Sequence, residues 1–218
     1  MSNIGKFEYG HANFGPFLFH TKAPKYLIDR LLKDGNKLRK KHSYNKHLAG
    51  HLKNQFLYEQ STQKWFYDEI QPYLQAYREG HNNFHGTKEE HQKLDVELQP
   101  DDLWVNYMKP GDFNPPHTHG SDFSFVFFLD VPKELFKEQE EHEGTSASPG
   151  ALIFEYTQMA RPRWSTTGIY RYPETGDFYM FPALLSHWVA PFKSKVTRIS
   201  VSGNLRFMNR ATLPHDFF

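Results

Sequence analysis

Four side chains in the second half of the chain have the types and spacing to do chemistry together. His117 and His119 stand two residues apart, His187 follows 70 residues after His117, and Arg198 lies 11 residues further on. In an extended segment residues i and i+2 point to one side, so the first pair can address a single cation. Pro115 and Pro116 come just before them, and a residue preceding proline is pushed out of the helical region, which predicts an extended entry. A third imidazole, His187, arriving from a distant strand would hold a divalent ion from one side and leave the opposite positions open. Arg198 would add a planar, two-point grip for the acidic end of a small molecule. Asp122 is an alternative to His119 as third ligand, reached only if the chain turns after Gly120.

The elements that must position these groups change character along the chain. From 24 to about 79 the apolar spacing is helical: Tyr26, Leu27 and Ile28 repeat at Leu31 and Leu32, and a second run from Thr62 carries Trp65, Phe66, Ile70, Tyr73, Leu74 and Tyr77. Between them Leu48, Leu52 and Phe56 keep four-residue steps, weakened by Gly50. A break is expected at 82–86. From Leu94 onward short β-branched and aromatic runs appear at 103–108, 123–129, 151–156, 177–181, 184–189 and 196–205, separated by Pro, Gly and Asp turns. Alternation in the last run sets Arg198, Ser200, Ser202 and Asn204 on one face and Ile199, Val201 and Leu205 on the other.

Helices first and many short strands afterwards predict an α+β fold, a β-barrel or jelly roll with the helices on one outer face. One domain is expected over 1–218, with a mainly helical support region at 1–93 and the β core at 94–218. Two long connections, 133–150 and 159–176, are read as loops. The second holds Arg161 and Trp164, which would cover a substrate, while Trp188, Phe125, Phe127 and Phe181 would form a dry wall.

Composition excludes several classes. Lys and Arg total 26 against 25 Asp and Glu, so no global field favours nucleic acid or an anionic membrane. With no cysteine there is neither a disulfide framework nor a thiolate site, and any metal falls to His and carboxylates. No apolar run approaches the ~20 residues that span a bilayer, and the amino terminus lacks a signal-peptide pattern, so a cytoplasmic protein is expected. Twenty Phe, twelve Tyr and four Trp supply core volume. Among the thirteen histidines, His42, His47, His51, His81, His85, His91 and His142 sit in polar, charged surroundings and are read as solvated.

The stretches Asn106-Tyr107-Met108-Lys109-Pro110-Gly111-Asp112-Phe113, Pro116-His117-Thr118-His119, the run from Phe178 through Pro182 and His187 to Pro191, and Arg198-Ile199-Ser200-Val201-Ser202-Gly203-Asn204 carry a resemblance. Over 103–205, about half of the chain, the sequence is similar to the 2-oxoglutarate and Fe(II)-dependent oxygenases of prolyl-hydroxylase type, a group frequent in marine bacteria and their phages. The resemblance implies a double-stranded β-helix, Fe(II), 2-oxoglutarate and O2. It implies iron-binding roles for His117 and His187, and a grip on the distal carboxylate of 2-oxoglutarate by Arg198 with Ser200. Tyr107 falls where the family places a hydroxyl on that carboxylate, with Asn106 beside it. The family pattern is His-x-Asp or His-x-Glu; here the third position is His119, which leaves His119 and Asp122 both open. The implied activity is hydroxylation of a peptidyl proline or of a small metabolite. The rival readings are a cupin-like metal enzyme that does without 2-oxoglutarate, and an inactive binding module of the same fold.

Overall fold

In the computed structural model, residues 2–4, 7–9, 15–41, 43–85, 98–156 and 168–208 are described. A short hairpin joins β1 (Ser2–Ile4) to β2 (Phe7–Tyr9). The body is two antiparallel sheets. The larger has the order β3 (Phe19–Lys22), β10 (Asp177–Pro182), β7 (Phe123–Asp130), β12 (Arg198–Phe207), β5 (Leu98–Met108), β4 (Gln55–Leu57). The smaller runs β6 (Asn114–His117), β11 (Ser186–Val189), β8 (Leu152–Glu155), β9 (Gly168–Arg171). Facing one another, they form the double-stranded β-helix, or jelly roll. Among the described residues no helix is long and apolar enough to cross a membrane.

The large sheet is apolar on both faces because each face has its own layer to meet. Its outer face carries Val105, Phe125, Phe127, Phe178 and Val201, which form one core with Leu27 and Leu31 of α1 (Lys25–Leu38), Phe66 of α2 (Gln60–Glu69), and Leu74 and Tyr77 of α3 (Gln71–His85). Phe66 is fully buried, with ring centroids 5.7 Å from Phe125 and 6.5 Å from Phe127. The second core lies between the sheets and joins Met108, Phe128 and Phe181 to Leu152, Phe154 and Val189.

Several expectations are corrected. The apolar steps at Leu48, Leu52 and Phe56 do not make a helix: a 3₁₀ turn (Asn45–His47) is followed by β4, where Gln55 pairs with Asn106 and Phe56 with Val105. Completing the sheet edge outweighs a weak helical period that contains Gly50. The connection read as a loop from 133 begins as α4 (Lys133–Glu140), with Pro132 at its cap, Glu134 in the first turn, and Leu135 buried in the inter-sheet core. The break expected at 82–86 comes late, since α3 continues through Asn82, Asn83 and Phe84. β3 and β4 come from the part of the chain read as helical support, yet they form the two edges of the large sheet, and the connection read as a loop at 159–176 contributes β9, which pairs with β8 at the edge of the smaller sheet.

Phe66 sets the distance between helices and sheet, so Phe66→Ala is expected to cost about 3–5 kcal/mol through lost burial and a residual cavity. Urea unfolding followed by far-UV circular dichroism measures this; a loss below about 1 kcal/mol would show that the helical layer does not depend on this contact.

Candidate active site

The three histidines meet because β6 and β11 are neighbours in register. His187 and His117 are directly paired Cα partners across the two strands. His119, just past the end of β6, is tied back by its backbone N–H to the carbonyl of Ala183 at 2.9 Å. Ring centroids lie 4.3 Å apart for His117 and His187, 5.0 Å for His117 and His119, and 5.1 Å for His119 and His187. One ligand atom from each falls within 4.8 Å of the other two.

Each of the two strand histidines is oriented by its own backbone. His117 Nδ1 lies 2.7 Å from the carbonyl oxygen of Pro115, and His187 Nδ1 lies 2.9 Å from that of Leu185. A carbonyl only accepts, so Nδ1 carries the proton in both rings and Nε2 keeps its lone pair. The Nε2 atoms of His119 and His187 stand 3.3 Å apart, close to the roughly 3 Å between two nitrogens bound at right angles at about 2.1 Å to one ion. Burial, reinforced by the neighbouring His117, pushes His119 down to about 4 and His187 down to about 3; burial also lowers His117. Three neutral imidazoles at physiological pH fit a divalent first-row cation.

Asp122 does not join this cluster. Its carboxylate accepts the backbone N–H of Phe207 at 2.8 Å, and its own backbone pairs with Leu205 and Ala183. The turn needed to bring it round is spent instead on holding the end of β12.

Arg198 opens β12 and is 3% exposed. One terminal nitrogen donates to the carbonyl of Gly150 at 2.6 Å, the other lies 2.9 Å from Met108 Sδ, and the guanidinium carbon is 5.3 Å from the Phe128 ring centroid. Nε has no partner, and among the described residues no carboxylate pairs with this cation. Burial lowers its pKa to about 10, which leaves it charged at neutral pH. An uncompensated buried charge costs several kcal/mol, so a guanidinium kept here is suited to an incoming anion. The same cavity is lined by Arg198, the three histidines, Ser200 and Asn106.

Asn106, expected beside the cosubstrate, is the centre of a polar network. Its side-chain oxygen accepts from Gln55 Nε2 at 2.9 Å, and its Nδ2 donates to Ser200 Oγ at 3.4 Å and to Ser202 Oγ at 3.2 Å. Gln55 is 2% exposed and its Oε1 is unpartnered. Sequence reasoning missed Gln55 because a three-residue edge strand carries too little alternation to identify. It also missed Trp104, which lines the cavity with its ring 6.1 Å from His119.

Other expected residues lie elsewhere. Tyr107 is not in the cavity. It points to the helical layer, where its hydroxyl lies 3.1 Å from Asn36 Oδ1 and the Arg39 guanidinium covers its ring at 5.0 Å. Neighbours on a strand face opposite sides, so Asn106 inside puts Tyr107 outside. For the same reason Trp188 lies on the face opposite His187, against Ala151, Ile153 and Ala190. Phe127 belongs to the helix-facing core, Phe125 belongs to that core while bordering the cavity, and Phe181 lies 4.7 Å from the His187 ring. Arg161 and Trp164 fall outside the described residues.

A family model described as "Putative 2OG-Fe(II) oxygenase" matches residues 102–204. No curated protein sequence matches the chain. Among solved structures, it is similar to a Pseudomonas putida prolyl-4-hydroxylase at 15% identity, covering 88% of this chain and 93% of that one with a TM-score of 0.53. The viral collagen prolyl hydroxylase of Paramecium Bursaria Chlorella virus-1, solved as a 2OG complex, gives 14%, 88%, 96% and 0.52. The α-ketoglutarate-dependent epimerase SnoN of nogalamycin biosynthesis gives 14%, 87%, 78% and 0.55. At such identities the likeness is one of fold, shared by a hydroxylase and an epimerase alike. The matched segment, just under half of the chain, holds the paired strands, the three histidines and the buried arginine, and over it this chain is similar to the 2-oxoglutarate- and Fe(II)-dependent oxygenases.

Proposed function

We propose that this oxygenase is a hydroxylase whose iron is held by His117, His119 and His187, and whose 2-oxoglutarate is gripped at its far carboxylate by Arg198 with Ser200 and Asn106 alongside. The observation that carries the reading is the buried, uncompensated guanidinium of Arg198 lining one cavity with three converging neutral imidazoles. When bound, iron and the keto acid supply the oxidising chemistry, coupling loss of carbon dioxide to oxidation of an unactivated carbon.

The chain's own contribution is holding and shielding. His117 and His187, each fixed by a carbonyl at Nδ1, present Nε2 without rotational loss. Since none of the three imidazoles brings negative charge, neutralising the cation falls to the carboxylates of bound small molecules. Arg198 offers a fixed planar fork, which a lysine cannot reproduce. Phe128, Leu152 and Phe181 give the cavity apolar walls that exclude water from these groups. No side chain is required as a general base. The substrate is a peptidyl residue or a small metabolite.

Anaerobic titration of Fe(II)-loaded protein with 2-oxoglutarate should give the weak visible charge-transfer band of the chelate. Arg198→Ala should weaken keto-acid binding by about 10- to 100-fold, as expected for losing a charge-assisted contact of roughly 1.5–3 kcal/mol, with Arg198→Lys in between. Absence of the band in the parent protein at saturating concentrations, or unchanged binding in Arg198→Ala, sinks the reading.

His119→Ala should lower Mn(II) affinity by more than the roughly 10- to 100-fold cost of losing an outer-shell partner, whereas Asp122→Ala should leave it near the parent value. Isothermal titration calorimetry distinguishes the two, and the reverse order would exchange their roles.

The metal-free protein should lose stability as pH falls. His119 and His187 titrate in the folded chain at about 4 and about 3, below the unfolded value of about 6.5. Between these limits the unfolded state binds more protons. Their contribution is therefore complete above about pH 6.5 and is lost as pH drops toward 4 and then 3, by up to about 1.4 kcal/mol per pH unit for each group. Urea unfolding at pH 7.5, 6.0 and 5.0 should show a slope that flattens by one proton in His187→Gln; equal slopes would contradict the assignment.

A further inference from the structure

The stretch between Asp34 and Glu59 has a charge pattern unlike the rest of the chain. Between Asp34 and Glu59 there is no acidic residue, while Lys37, Arg39, Lys40, Lys41, Lys46 and Lys53 lie in that interval; outside it, 20 Lys and Arg face 25 Asp and Glu. The near-neutral total therefore conceals a basic segment on an otherwise acidic chain. That segment is also a wall of the active site: Leu48, Ala49, Gly50, Leu52 and Gln55 line the cavity with the histidines and Arg198. Lys37 and Lys41 are paired with Asp34 and Glu59. Lys46, just before the lining residues, and Lys53, between Leu52 and Gln55, are exposed and have no carboxylate partner among the described residues.

The loop presenting these cations is already folded. Tyr44 N–H donates to the Gln55 carbonyl at 2.7 Å, Asn45 Nδ2 to the Leu52 carbonyl at 2.6 Å, and His51 N–H to the Phe113 carbonyl at 2.9 Å. His47 stacks on Tyr44 at 4.8 Å and His51 on Phe113 at 4.6 Å. Charges on a preordered rim bind without the cost of ordering it. Where the rim meets the cavity, Gln55 offers a buried, unpartnered carbonyl oxygen. Its complement is a hydrogen-bond donor. A polypeptide brings backbone N–H donors along its whole length together with carboxylates, whereas a nucleic acid carries its donors on the bases and, in RNA, the 2′-hydroxyls, apart from its charged phosphates.

We infer that residues 43–55 form a docking rim for an acidic polypeptide segment, which presents the residue to be oxidised at the cavity bordered by Gln55. The inference rests on the reading of this cavity as the oxygenase site. It names the class of substrate: a peptide with negative charge flanking the target position.

The test uses the full chain loaded with Mn(II) and 2-oxoglutarate, and three fluorescein-labelled probes read by anisotropy: decaglutamate, decalysine and a single-stranded decanucleotide. Decaglutamate should bind and decalysine should not. Affinity for decaglutamate should fall as salt rises from about 50 to about 300 mM, because exposed charges are screened over that range. It should drop about tenfold in the double variant K46E/K53E, since rim charges act singly only at the level of exposed ion pairs. The Fe(II)·2-oxoglutarate band serves as a control and should be unchanged in that variant. No salt-dependent binding of decaglutamate, or equal affinity in K46E/K53E, overturns the docking rim. A decanucleotide bound tenfold or more tighter than decaglutamate overturns the polypeptide assignment. A parent protein that lacks the band overturns the inference together with the site reading, whereas a normal band without decaglutamate binding overturns the rim alone.

Discussion

The register of β11 against β6 is the constraint on which this site depends. With His187 opposite His117, two imidazoles separated by 70 residues share one side of one small sheet. A slip by a single residue would turn His187 to the outer face and bring Trp188 inward. The register is held from both sides. On the far side of β11, His187 pairs with Phe154 and Trp188 with Ile153 of β8. Inside, Phe154 and Phe181 pack at 6.2 Å and 4.7 Å from the His187 ring. Pro115 and Pro116 sit on β6, an edge strand, where a missing N–H does not interrupt the sheet. The edge is thereby also protected from adding another strand.

Around that register the fold sets two opposite electrostatic conditions within one cavity. His187 is buried and His117 and His119 are half-buried, which keeps the imidazoles neutral, with free lone pairs. Arg198 is buried more completely still and stays charged, with a carbonyl, a thioether and an aromatic face in place of a counter-ion. This arrangement is held by α4. Glu138 accepts the backbone N–H groups of Lys193 and Ser194 and the Ser194 hydroxyl, while Gln139 donates to the Pro149 carbonyl. One helix thus ties together the segment leading to Gly150 and the segment leading to Arg198. The helix that composition disguised as an acidic loop is a brace for the anion-binding end of the cavity.

The amino-terminal region takes part in the site rather than standing apart from it. α1, α2 and α3 cover the outer face of the large sheet, whose inner face carries Asn106, Ser200 and Ser202. β4 then places Gln55 beside Asn106, and the loop before it walls the cavity. The part of the chain outside the matched segment, 102–204, thus supplies one wall of the cavity.

What the sequence by itself determined was local. The two-residue spacing of His117 and His119, the prolines before them, and the alternation of Arg198, Ser200 and Ser202 on one face of β12 all follow from the backbone period of an extended chain. The long aromatic runs also announced their strands, and helical periods were legible in Leu27 and Leu31 and in one run holding Phe66 and Leu74, which the fold divides at Ile70 into α2 and α3. The tertiary structure decided which face of each strand meets the cavity. From Leu103 to Met108 every residue of β5 is buried, so polarity alternates nowhere along it, and nothing local separates Asn106 from Tyr107. The position of Asp122 at the end of β12, the conversion of 55–57 into an edge strand, and the pairing of His187 with His117 likewise depend on partners far away in the chain. Periodicity encodes direction relative to the next residue; only packing against a second layer fixes direction relative to the site.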